Sequence, residues 1–561
     1  MKLQFRFEEE NVTFTTPVEV IEVYDVEEVE QAFHHIEKWL GKGCYIAGYV
    51  AYEAAPAFDP ALQVRETEGP LLWFGVFEAP VNEEEEPRGT YEISEWQLDA
   101  DFESYQQGIS DIKNAIENGD TYQVNYTARW KAAFKGDSYT FFEKLARRQQ
   151  GRYSAYLETG TRTILSASPE LFFKKEKGTI TTRPMKGTAA RGKTFAEDIR
   201  KKERLAASEK EQAENVMIVD LLRNDIGRIA GKVRVPRLFS IETYPTVHQM
   251  TSTVEGEIRE NSTVWELFEA LFPCGSITGA PKVKTMEYIS ELEETPRDVY
   301  CGAIGYITPK KDMIFNVPIR TVMIEEGEAI YGSGGGITWD SQTSSEYEEM
   351  KTKAKLLDAE FPEFDLLETM RLANREFPLL ERHLNRLKSS AAYFSYPFDE
   401  QLIRERLKNV KDDWSIGRVR LLLSEEGEVQ VETYEHKDED KKYRAVLAET
   451  PINAENPFYY HKTTHREIYN IHPKKGADTV LLWNEREELT EFTFANLVVK
   501  KNGKYVTPPI ESGLLAGTKR EELLEQGEIQ AEVLFVEELS DFEEVWMVNG
   551  LRGWMKVEME E

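Results

Sequence analysis

Cysteines are scarce in this chain, and long apolar stretches are missing. The three cysteines, Cys44, Cys274 and Cys301, lie far apart and show no CxxC spacing, so neither a disulfide framework nor a thiolate zinc site is expected. No run of about 18 apolar residues occurs, and the start MKLQFRFEEENV is charged where a signal sequence would be apolar. We therefore expect a cytoplasmic protein that neither spans a membrane nor is secreted.

Positive charge is also in short supply. The 561 residues include 69 Lys plus Arg against 101 Asp plus Glu, which gives a net charge of −32. Such a field repels nucleic acid and anionic lipid surfaces, so neither is an expected partner. An enzyme of this charge that acts on carboxylates must gather local cations, from Lys and Arg side chains or from a divalent metal.

The order of segments indicates an α+β protein of at least two domains. Residues 1–95 read as short strands, and a helix is predicted to follow from Phe102 to the stop at Gly119-Asp120. Strand-like and charged helical segments then alternate up to a helix predicted from Ser344 to Glu360. We place a domain boundary near 361–364, which gives an N-terminal domain of 1–360, with its core at 100–357, and a C-terminal α+β domain of 364–561.

Two pairs of glutamates at i, i+3 spacing are candidate metal ligands. Glu211 with Glu214, and Glu346 with Glu349, each share one face of a predicted helix. If the two faces met, four carboxylates would form a Mg²⁺ site. For any single pair in so acidic a chain, a solvated helix face is the commoner explanation.

Two glycine-containing segments and one lysine complete the candidates of the first domain. FPCGSITGAPK at 272–282 and GSGGGITWDS at 332–341 precede predicted helices, but neither matches a phosphate-binding loop. Lys186 lies between Pro184 and Gly187, where a desolvated amine could act as a nucleophile. On composition alone, tight turns and a surface lysine are the favoured interpretations.

Ordered motifs in this region resemble the chorismate-utilising enzyme family. They are SPELFF at 168–173, RPMKGTAAR at 183–191, AENVMIVDLLRNDIGR at 213–228, YPTVHQMTSTVEG at 244–256, FPCGSITGAPKVKTMEYISELE at 272–293, GAIGY at 302–306, IRT at 319–321 and GGGITWDSQTSSEYEE at 334–349. The resemblance spans most of residues 100–357 and implies a large domain of the two-sheet sandwich type. PMKGT is similar to the aminodeoxychorismate synthase branch, whereas anthranilate synthases carry an alanine where this chain has Lys186.

The resemblance implies a role for each matching residue. Lys186 would add to C2 of chorismate, ammonia would enter at C4, and Glu170 would be the general acid or base. His248 matches the family histidine, and the two glutamate pairs would hold Mg²⁺. The residues expected to hold the enolpyruvyl carboxylate and neighbouring groups are Thr278, Tyr306, Arg320, Gly334, Gly335 and Gly336.

The C-terminal domain contains a lysine and a distant acid, the pair that pyridoxal 5'-phosphate requires. The motif order LLETMRL, ERHLNRL, HKTT, TEFTFAN, GLLAGTKR and NGLRG is similar to the fold-type IV pyridoxal-phosphate family over about 366–553. By this resemblance Lys462 forms the Schiff base, Glu491 faces the pyridine nitrogen, and Arg386, Gly517 and Thr518 bind the cofactor phosphate. Relatives usually begin with a short strand-and-turn segment before the first motif, and this chain has almost none.

Together the two resemblances imply a fused enzyme of p-aminobenzoate synthesis. The first domain would aminate chorismate, and the second would eliminate pyruvate from the product. The alternatives left open are a transaminase or a non-catalytic dimerisation module as the second domain, with the first domain as stated or anthranilate synthase-like. Since no cysteine has a nucleophile-elbow context, ammonia is expected from a separate glutamine amidotransferase subunit. A homodimer is expected from the fold-type IV resemblance.

Overall fold

The computed structural model describes residues 1–82, 89–259, 261–358, 362–436 and 442–560. The chain divides into two compact units, one of Met1–Ala190 with Lys202–Phe361 and the other of Arg191–Lys201 with Pro362–Glu561. The predicted domain boundary at 361–364 begins outside the described residues, and so does most of the acidic turn at 82–89. Among the described residues, no helix is both long and apolar enough to cross a membrane.

The first unit is built from the strands and helices that precede residue 358. Its strands are β1 Lys2–Phe7, β2 Glu10–Thr15, β3 Glu19–Val23, β4 Tyr45–Val50, β5 Leu72–Phe77, β6 Tyr91–Ile93, β7 Gln97–Leu98, β8 Gln123–Gly136, β9 Tyr153–Glu158, β10 Arg162–Ser168, β11 Leu171–Glu176, β12 Thr179–Arg183, β13 Met185–Ala190, β14 Ala230–Thr243, β15 Val247–Ile258, β16 Gly279–Ala280, β17 Ala303–Ile307, β18 Met313–Asn316, β19 Thr321–Glu325 and β20 Glu328–Ile337. The helices are α1 Val29–Gly41, α2 Ala55–Phe58, α3 Phe102–Glu117, α4 Ser138–Gln149, α5 Phe195–Ala206, α6 Glu209–Gly227, α7 Val264–Leu271, α8 Lys282–Leu292 and α9 Thr343–Ala354. The first part of α5 lies in the second unit.

These strands form two ten-stranded sheets. The first sheet has the order β16-β8-β20-β19-β10-β9-β1-β2, and the second has β13-β15-β12-β11-β18-β17-β4-β5-β3, with β14 on β15. Phe5 and Tyr153 of the first sheet share one buried cluster with Tyr49 and Ile304 of the second. The two sheets therefore pack face to face, which confirms the expected sandwich.

Helices cover the outer faces of the two sheets. In α3, Tyr105, Ile109 and Ile112 recur at helical spacing and are buried, and the Asp101 side chain caps the first turn. The helix predicted to run to Glu360 is shorter, because α9 ends at Ala354. Arg320 and Tyr331 both donate hydrogen bonds to the Lys353 carbonyl, so side chains satisfy a group that would otherwise need a further turn.

The second unit contains a small sheet and a larger one. Its strands are β21 Leu366–Leu372, β22 Gly417–Leu423, β23 Val429–Tyr434, β24 Tyr443–Leu447, β25 Thr479–Trp483, β26 Leu489–Phe492, β27 Ala495–Lys501, β28 Lys504–Thr507, β29 Gln530–Ala531, β30 Glu544–Asn549 and β31 Gly553–Met559. The helices are α10 Leu380–Phe394, α11 Glu400–Asp413, α12 Glu467–Asn470 and α13 Thr518–Glu525. The sheet orders are β21-β22-β23 and β26-β25-β24-β31-β30-β27-β28-β29, which is the expected α+β arrangement.

Candidate active sites

A β-bulge at the edge of the second sheet sets the backbone of Lys186. The register of β13 against β15 shifts between Met185 and Thr188, and Gly187 has a φ of +100°. The Asn215 side chain on α6 donates to the Lys186 carbonyl at 3.0 Å. The bulge and α6 together fix the direction in which the lysine leaves the strand.

The Lys186 side chain reaches the glycine strand β20. Its Nζ lies 3.6 Å from Oε2 of Glu214. A Cβ at Gly336 would come within 2.8 Å of that Nζ and within 2.2 Å of Nε2 of Gln123. A side chain at 336 would displace the ends of Lys186 and Gln123, so the structure brings together two of the residues predicted from the sequence.

Glu170 is a buried carboxyl whose pKa lies near neutrality. Its side chain is 3% exposed, and Oε1 has no hydrogen-bond partner among the residues that the structure describes. Burial raises the pKa of Glu170 to about 7, although the Ser276 hydroxyl, the Met185 amide and the Lys186 charge work in the opposite direction. The group can thus both give and take a proton near neutral pH, close to Lys186.

The two glutamate pairs approach the same lysine from α6 and α9. Burial raises the pKa of Glu211, with the Glu214 charge adding to the effect, and burial also raises the pKa of Glu346. The Lys186 charge partly offsets both shifts, which places the carboxylates around its ammonium. Within the described ranges, no three acidic, His or Cys side chains close into a metal-holding group. The donors have the chemistry that Mg²⁺ prefers, but water and substrate would have to complete its shell.

Lys353 is a contact of this site that sequence reasoning missed. Its Nζ lies 2.8 Å from Oε1 of Glu349 and donates to the Gly334 carbonyl at 2.7 Å. Desolvation alone would raise the pKa of Glu349, but the neighbouring Lys353 holds it below its usual range. Arg320, expected on the substrate, donates to the Lys353 carbonyl at 2.7 Å and so anchors the end of α9. The spacing of Lys353 four residues after Glu349 was a signal available in the sequence.

The glycine strand accounts for three further predicted residues. Gly334, Gly335 and Gly336 pair with Thr127, Tyr126 and Asn125 of β8. A Cβ at Gly334 would fall 2.2 Å from the Tyr126 carbonyl oxygen, and one at Gly335 would fall 3.3 Å from Oε2 of Glu346. The absence of side chains therefore lets the strand lie directly against the glutamate pair of α9.

Two other predicted residues have contacts of their own. His248 on β15 is 1% exposed, and its Nδ1 lies 3.1 Å from the Thr243 hydroxyl. The Thr278 hydroxyl donates back to carbonyls of its own turn, those of Cys274 and Gly275, both at 3.3 Å. These contacts fix the two side chains in the unit, and a role on substrate stays a prediction for each.

Tyr306 lies in the core between the sheets and not beside Lys186. Its hydroxyl donates to Glu10 at 2.9 Å, and its ring packs on Phe5, Phe7 and Phe14. This placement corrects the expectation that Tyr306 contacts substrate, because both ends of the side chain are already engaged. Strand alternation explains the difference, since β17 points this position at the inner face of the sandwich.

The second candidate site surrounds Lys462. The Lys462 carbonyl accepts a hydrogen bond from the Leu367 amide at 2.9 Å, which holds the lysine segment against β21. Burial lowers the pKa of the Lys462 amine to about 8, and the charges of Arg386 and Arg466 lower it further, against Glu368 and Glu491. A lysine in this environment is prepared to react as a neutral amine.

Glu491 on β26 is held by three donors. Its carboxylate accepts from the Tyr469 hydroxyl at 3.0 Å, the Asn496 amide at 3.0 Å and the Leu515 amide at 3.3 Å. Burial nevertheless raises the pKa of Glu491 to about 7. Such an acid can share a proton with a ring nitrogen, as the role on the pyridine nitrogen requires.

Arg386 stands beside the start of α13. It forms two bonds to Glu368, at 2.9 and 2.6 Å, and donates to the Ala516 carbonyl at 3.0 Å. Gly517 and Thr518 come next and begin α13, whose first backbone amides point out of the helix. A guanidinium at a helix N-terminus is a suitable phosphate site, so the three residues predicted for the phosphate lie together.

A carboxylate and an imidazole behind this site were missed in the sequence. Burial would raise the pKa of Glu368, but Arg386 and His383 lower it to about 2. Nδ1 of His383 lies 2.7 Å from Glu368, and its Nε2 lies 3.4 Å from the Thr518 hydroxyl. The spacing of His383 and Arg386, one turn apart on α10, was the available signal. Pyridoxal phosphate fits this set of groups: a lysine with a lowered pKa, a buried acid, and an arginine at the start of a helix.

Comparison with known proteins matches both parts of the chain. A family model described as chorismate binding enzyme matches residues 3–358. A second, described as amino-transferase class IV, matches residues 365–559. The C-terminal domain is therefore like a class IV aminotransferase.

Curated relatives match part of the chain. Aminodeoxychorismate synthase component 1 of Klebsiella aerogenes is 40% identical over 282 residues, which is 50% of this chain and 61% of the relative. The protein of the same name from Salmonella typhimurium is 43% identical over 258 residues, which is 46% of this chain and 57% of the relative. The aligned part is thus about three fifths of each relative.

A solved structure supports the fold of the first domain. Anthranilate synthase component I from Streptococcus pneumoniae superposes with a TM-score of 0.55 at 24% identity, over 64% of this chain and 92% of that one. At this level of identity the likeness establishes the fold.

Proposed function

Because the chain belongs to the family of chorismate-binding enzymes, we propose that its N-terminal domain, residues 1–360, aminates chorismate to 4-amino-4-deoxychorismate. We further propose that the C-terminal domain, residues 364–561, eliminates pyruvate from that product to give p-aminobenzoate. The curated relatives named aminodeoxychorismate synthase component 1 support the first reaction. The observation that carries it is the placement of Lys186, whose Nζ lies 3.6 Å from Glu214 and beside Gly336 of the glycine strand.

Lys186 acts as the nucleophile of the amination. Its amine forms a bond to C2 of the ring, the ring double bonds shift, and the C4–oxygen bond breaks. Glu170 gives its proton to the departing hydroxyl, which leaves as water. Ammonia then bonds to C4, the double bonds shift back, and the bond between C2 and the lysine nitrogen breaks. The nitrogen that is now bonded to C4 carries a positive charge, and it gives a proton to the Glu170 carboxylate, which returns to its acid form.

The charged groups around Lys186 hold the anionic substrate. Glu211, Glu214, Glu346 and Glu349 would hold Mg²⁺, which supplies the positive charge that a ring carboxylate needs in so acidic a protein. The amides of the glycine strand at 334–336 are proposed to bind neighbouring groups, and Arg320 keeps α9 in place beside them.

The second domain uses Lys462 and Glu491. Pyridoxal 5'-phosphate supplies the electron sink that elimination requires. Arg386, Gly517 and Thr518 hold its phosphate, Glu491 holds the proton of the ring nitrogen, and Lys462 moves the proton of the substrate. The depressed pKa of Lys462, about 8, supports this role because it leaves a fraction of the amine neutral near pH 7.

Product analysis of the full chain tests both reactions. With chorismate and ammonium, we expect p-aminobenzoate and pyruvate without any keto-acid acceptor. Anthranilate as product would contradict the first assignment. A need for a keto acid would make the second domain a transaminase, and absence of any change in 4-amino-4-deoxychorismate would make it a non-catalytic module.

The cellular setting follows from the same assignment. A separate glutamine amidotransferase is proposed as the source of ammonia, since the relatives are named as component 1 of their synthase. All three cysteines are buried free thiols, which supports a reducing cytoplasm. A homodimer is proposed as well, and light scattering of the purified protein checks it.

A further inference from the structure

Arg466 is a partly buried arginine of the second unit that forms no ion pair with any residue the structure describes. It follows Lys462 by four residues, and no role for it was predicted from the sequence. Its contacts are a hydrogen bond to the Thr493 carbonyl and the face of the Tyr469 ring. Its charge also acts on both reacting groups, because it lowers the pKa of Lys462 and that of Glu491.

A single helical turn brings Tyr469 next to Arg466. The Tyr469 amide donates to the Arg466 carbonyl at 3.0 Å, at the start of α12. Side chains three residues apart on such a turn are neighbours, and the guanidinium lies over the Tyr469 ring, 3.8 Å from its centre. The Tyr459 ring packs edge-on against the same tyrosine, with ring centres 5.5 Å apart. Two neighbours therefore fix the plane of the Tyr469 ring.

The Tyr469 hydroxyl connects this stack to Glu491. It donates to Oε1 of Glu491 at 3.0 Å, and the tyrosine is only 5% exposed, so the bond is shielded from water. Burial holds the pKa of Tyr469 well above its usual range, so the hydroxyl keeps its proton and remains the donor. Whatever fixes the plane of the Tyr469 ring therefore also fixes one oxygen of Glu491.

A second bond ties Arg466 to the end of the strand that carries Glu491. The guanidinium donates to the carbonyl of Thr493, the first residue after β26. Thr493 is itself anchored to β25, because its amide donates to the Val480 carbonyl at 3.1 Å and its hydroxyl lies 2.9 Å from that of Thr479. Arg466 therefore joins the lysine segment to a fixed point two residues beyond Glu491.

We propose that Arg466 is a positioning residue of the second site, which holds Tyr469 and, through it, keeps Glu491 at the ring nitrogen of the cofactor. This role rests on the pyridoxal-phosphate function proposed for the domain. A guanidinium suits it better than an ammonium, because its flat face stacks on the ring while an N–H reaches the Thr493 carbonyl. Since no carboxylate in the described ranges neutralises Arg466, its charge also disfavours an ammonium at Lys462.

Equilibrium dialysis of the full chain with pyridoxal phosphate tests the role through cofactor affinity. Arg466→Gln should weaken binding about tenfold, which corresponds to about 1.4 kcal/mol. Tyr469→Phe keeps the ring, removes only the hydroxyl, and should have a similar effect. If Arg466 acts through Tyr469, the double variant should lose little more affinity than either single variant. Losses that add in full in the double variant would overturn the proposal.

The visible absorbance of the bound cofactor, titrated against pH, is a second readout that a folding defect alone would not move. The nitrogen that joins Lys462 to the cofactor holds a proton more easily once a nearby positive charge is removed. The midpoint should therefore lie about one pH unit higher in Arg466→Gln and return towards that of the parent in Arg466→Lys. The other charged groups that act on Lys462 are unchanged in both variants, namely Arg386, Glu368 and Glu491.

Arg444→Gln is the matched control. Arg444 also donates to a carbonyl, that of Gly476 at 2.9 Å, but it is exposed and pairs with Glu560 at 3.1 Å. This variant should match the parent in affinity and midpoint. Parent-like values in Arg466→Gln, or an equal loss in Arg444→Gln, would overturn the positioning role and leave the cofactor assignment intact. A parent protein that binds no pyridoxal phosphate would overturn both.

Discussion

The two candidate lysines lie in opposite electrostatic environments. Lys462 has Arg386 and Arg466 as charged neighbours, and they lower its pKa together with burial. Lys186 has carboxylates instead, with Glu214 at 3.6 Å. Burial and the two arginines together favour a neutral amine at Lys462, against the charges of Glu368 and Glu491. The comparison teaches that the acidic groups around Lys186 call for a further positive charge to hold an anionic substrate, whereas the second site already has two arginines beside its lysine.

Exchanging either lysine for alanine should have the largest effect and should separate the two sites. Lys186→Ala is expected to lower amination on the order of a thousandfold or more, because the nucleophile is lost, and to leave pyruvate elimination unchanged. Lys462→Ala should do the reverse. The two rates are measured separately, with chorismate plus ammonium and with added 4-amino-4-deoxychorismate. Loss of both rates in either variant would break the comparison.

Chelation should distinguish the sites next. EDTA is expected to abolish amination, and Mg²⁺ to restore it, while elimination continues. Glu349→Gln should raise the Mg²⁺ concentration for half-maximal amination at least about tenfold, since it removes a charged ligand. Glu348→Gln is the control, because its carboxylate is exposed and pairs with Lys351. Full amination in the presence of EDTA would show that Lys186 needs no metal.

The raised pKa of Glu170 predicts that the two reactions depend differently on pH. Its pKa of about 7 lies above that of an ordinary carboxyl, so the protonated acid is present below pH 7 and is lost as the pH rises through that value. Amination in the presence of saturating ammonia should therefore fall with rising pH, and Glu170→Gln should remove this limb along with most of the activity. If the amination rate of Glu170→Gln still falls with rising pH, a group other than Glu170 causes the fall.

Glu368 holds Arg386 in place, so a change at Glu368 should have a smaller effect than those above, confined to the second site. Glu368→Gln keeps the shape but removes the charge that orients Arg386, and should weaken pyridoxal phosphate binding about tenfold. Equilibrium dialysis measures the affinity. Glu381→Gln on the same helix is the control, because its carboxylate is exposed and pairs with the exposed Arg404. Unchanged affinity in Glu368→Gln would remove Glu368 from the cofactor site.

Tyr306→Phe should have the smallest effect. It removes the hydrogen bond to Glu10, so the free energy of unfolding is expected to fall by about 1 kcal/mol. The KM for chorismate should not change, because the hydroxyl does not face Lys186. Denaturant unfolding and steady-state kinetics provide the two measurements. A large rise in KM would restore the substrate-binding role first expected for this residue.

Local motifs let the sequence predict the sandwich and name the candidate site residues, whose roles stay predictions. Lys186, Gly336 and Glu214 come from separate motifs, yet the structure places them together because each motif sits at a strand edge or helix face facing the same cleft. Arg386 and Gly517 likewise come from separate motifs and lie near each other, and their role on the cofactor phosphate stays a prediction.

Other features depended on tertiary packing. Tyr306 was misplaced because strand alternation decides its face, and the end of α9 was misplaced because Arg320, just before β19, contacts it from a distance in the sequence. Lys353 also contacts the Gly334 carbonyl, and Glu368 contacts Arg386, across longer stretches of sequence. No periodic pattern reveals these two contacts, although the i, i+4 spacing of Lys353 and Glu349 was visible. The assignment of Arg191–Lys201 to the second unit has no sequence signal for the same reason.

Mass spectrometry of the protein mixed with chorismate without ammonia tests the central claim most directly. The account predicts a covalent adduct on the peptide that contains Lys186, absent in Lys186→Ala and lost when ammonium is added, with 4-amino-4-deoxychorismate formed. Failure to find any adduct on that peptide, together with undiminished amination by Lys186→Ala, would contradict it.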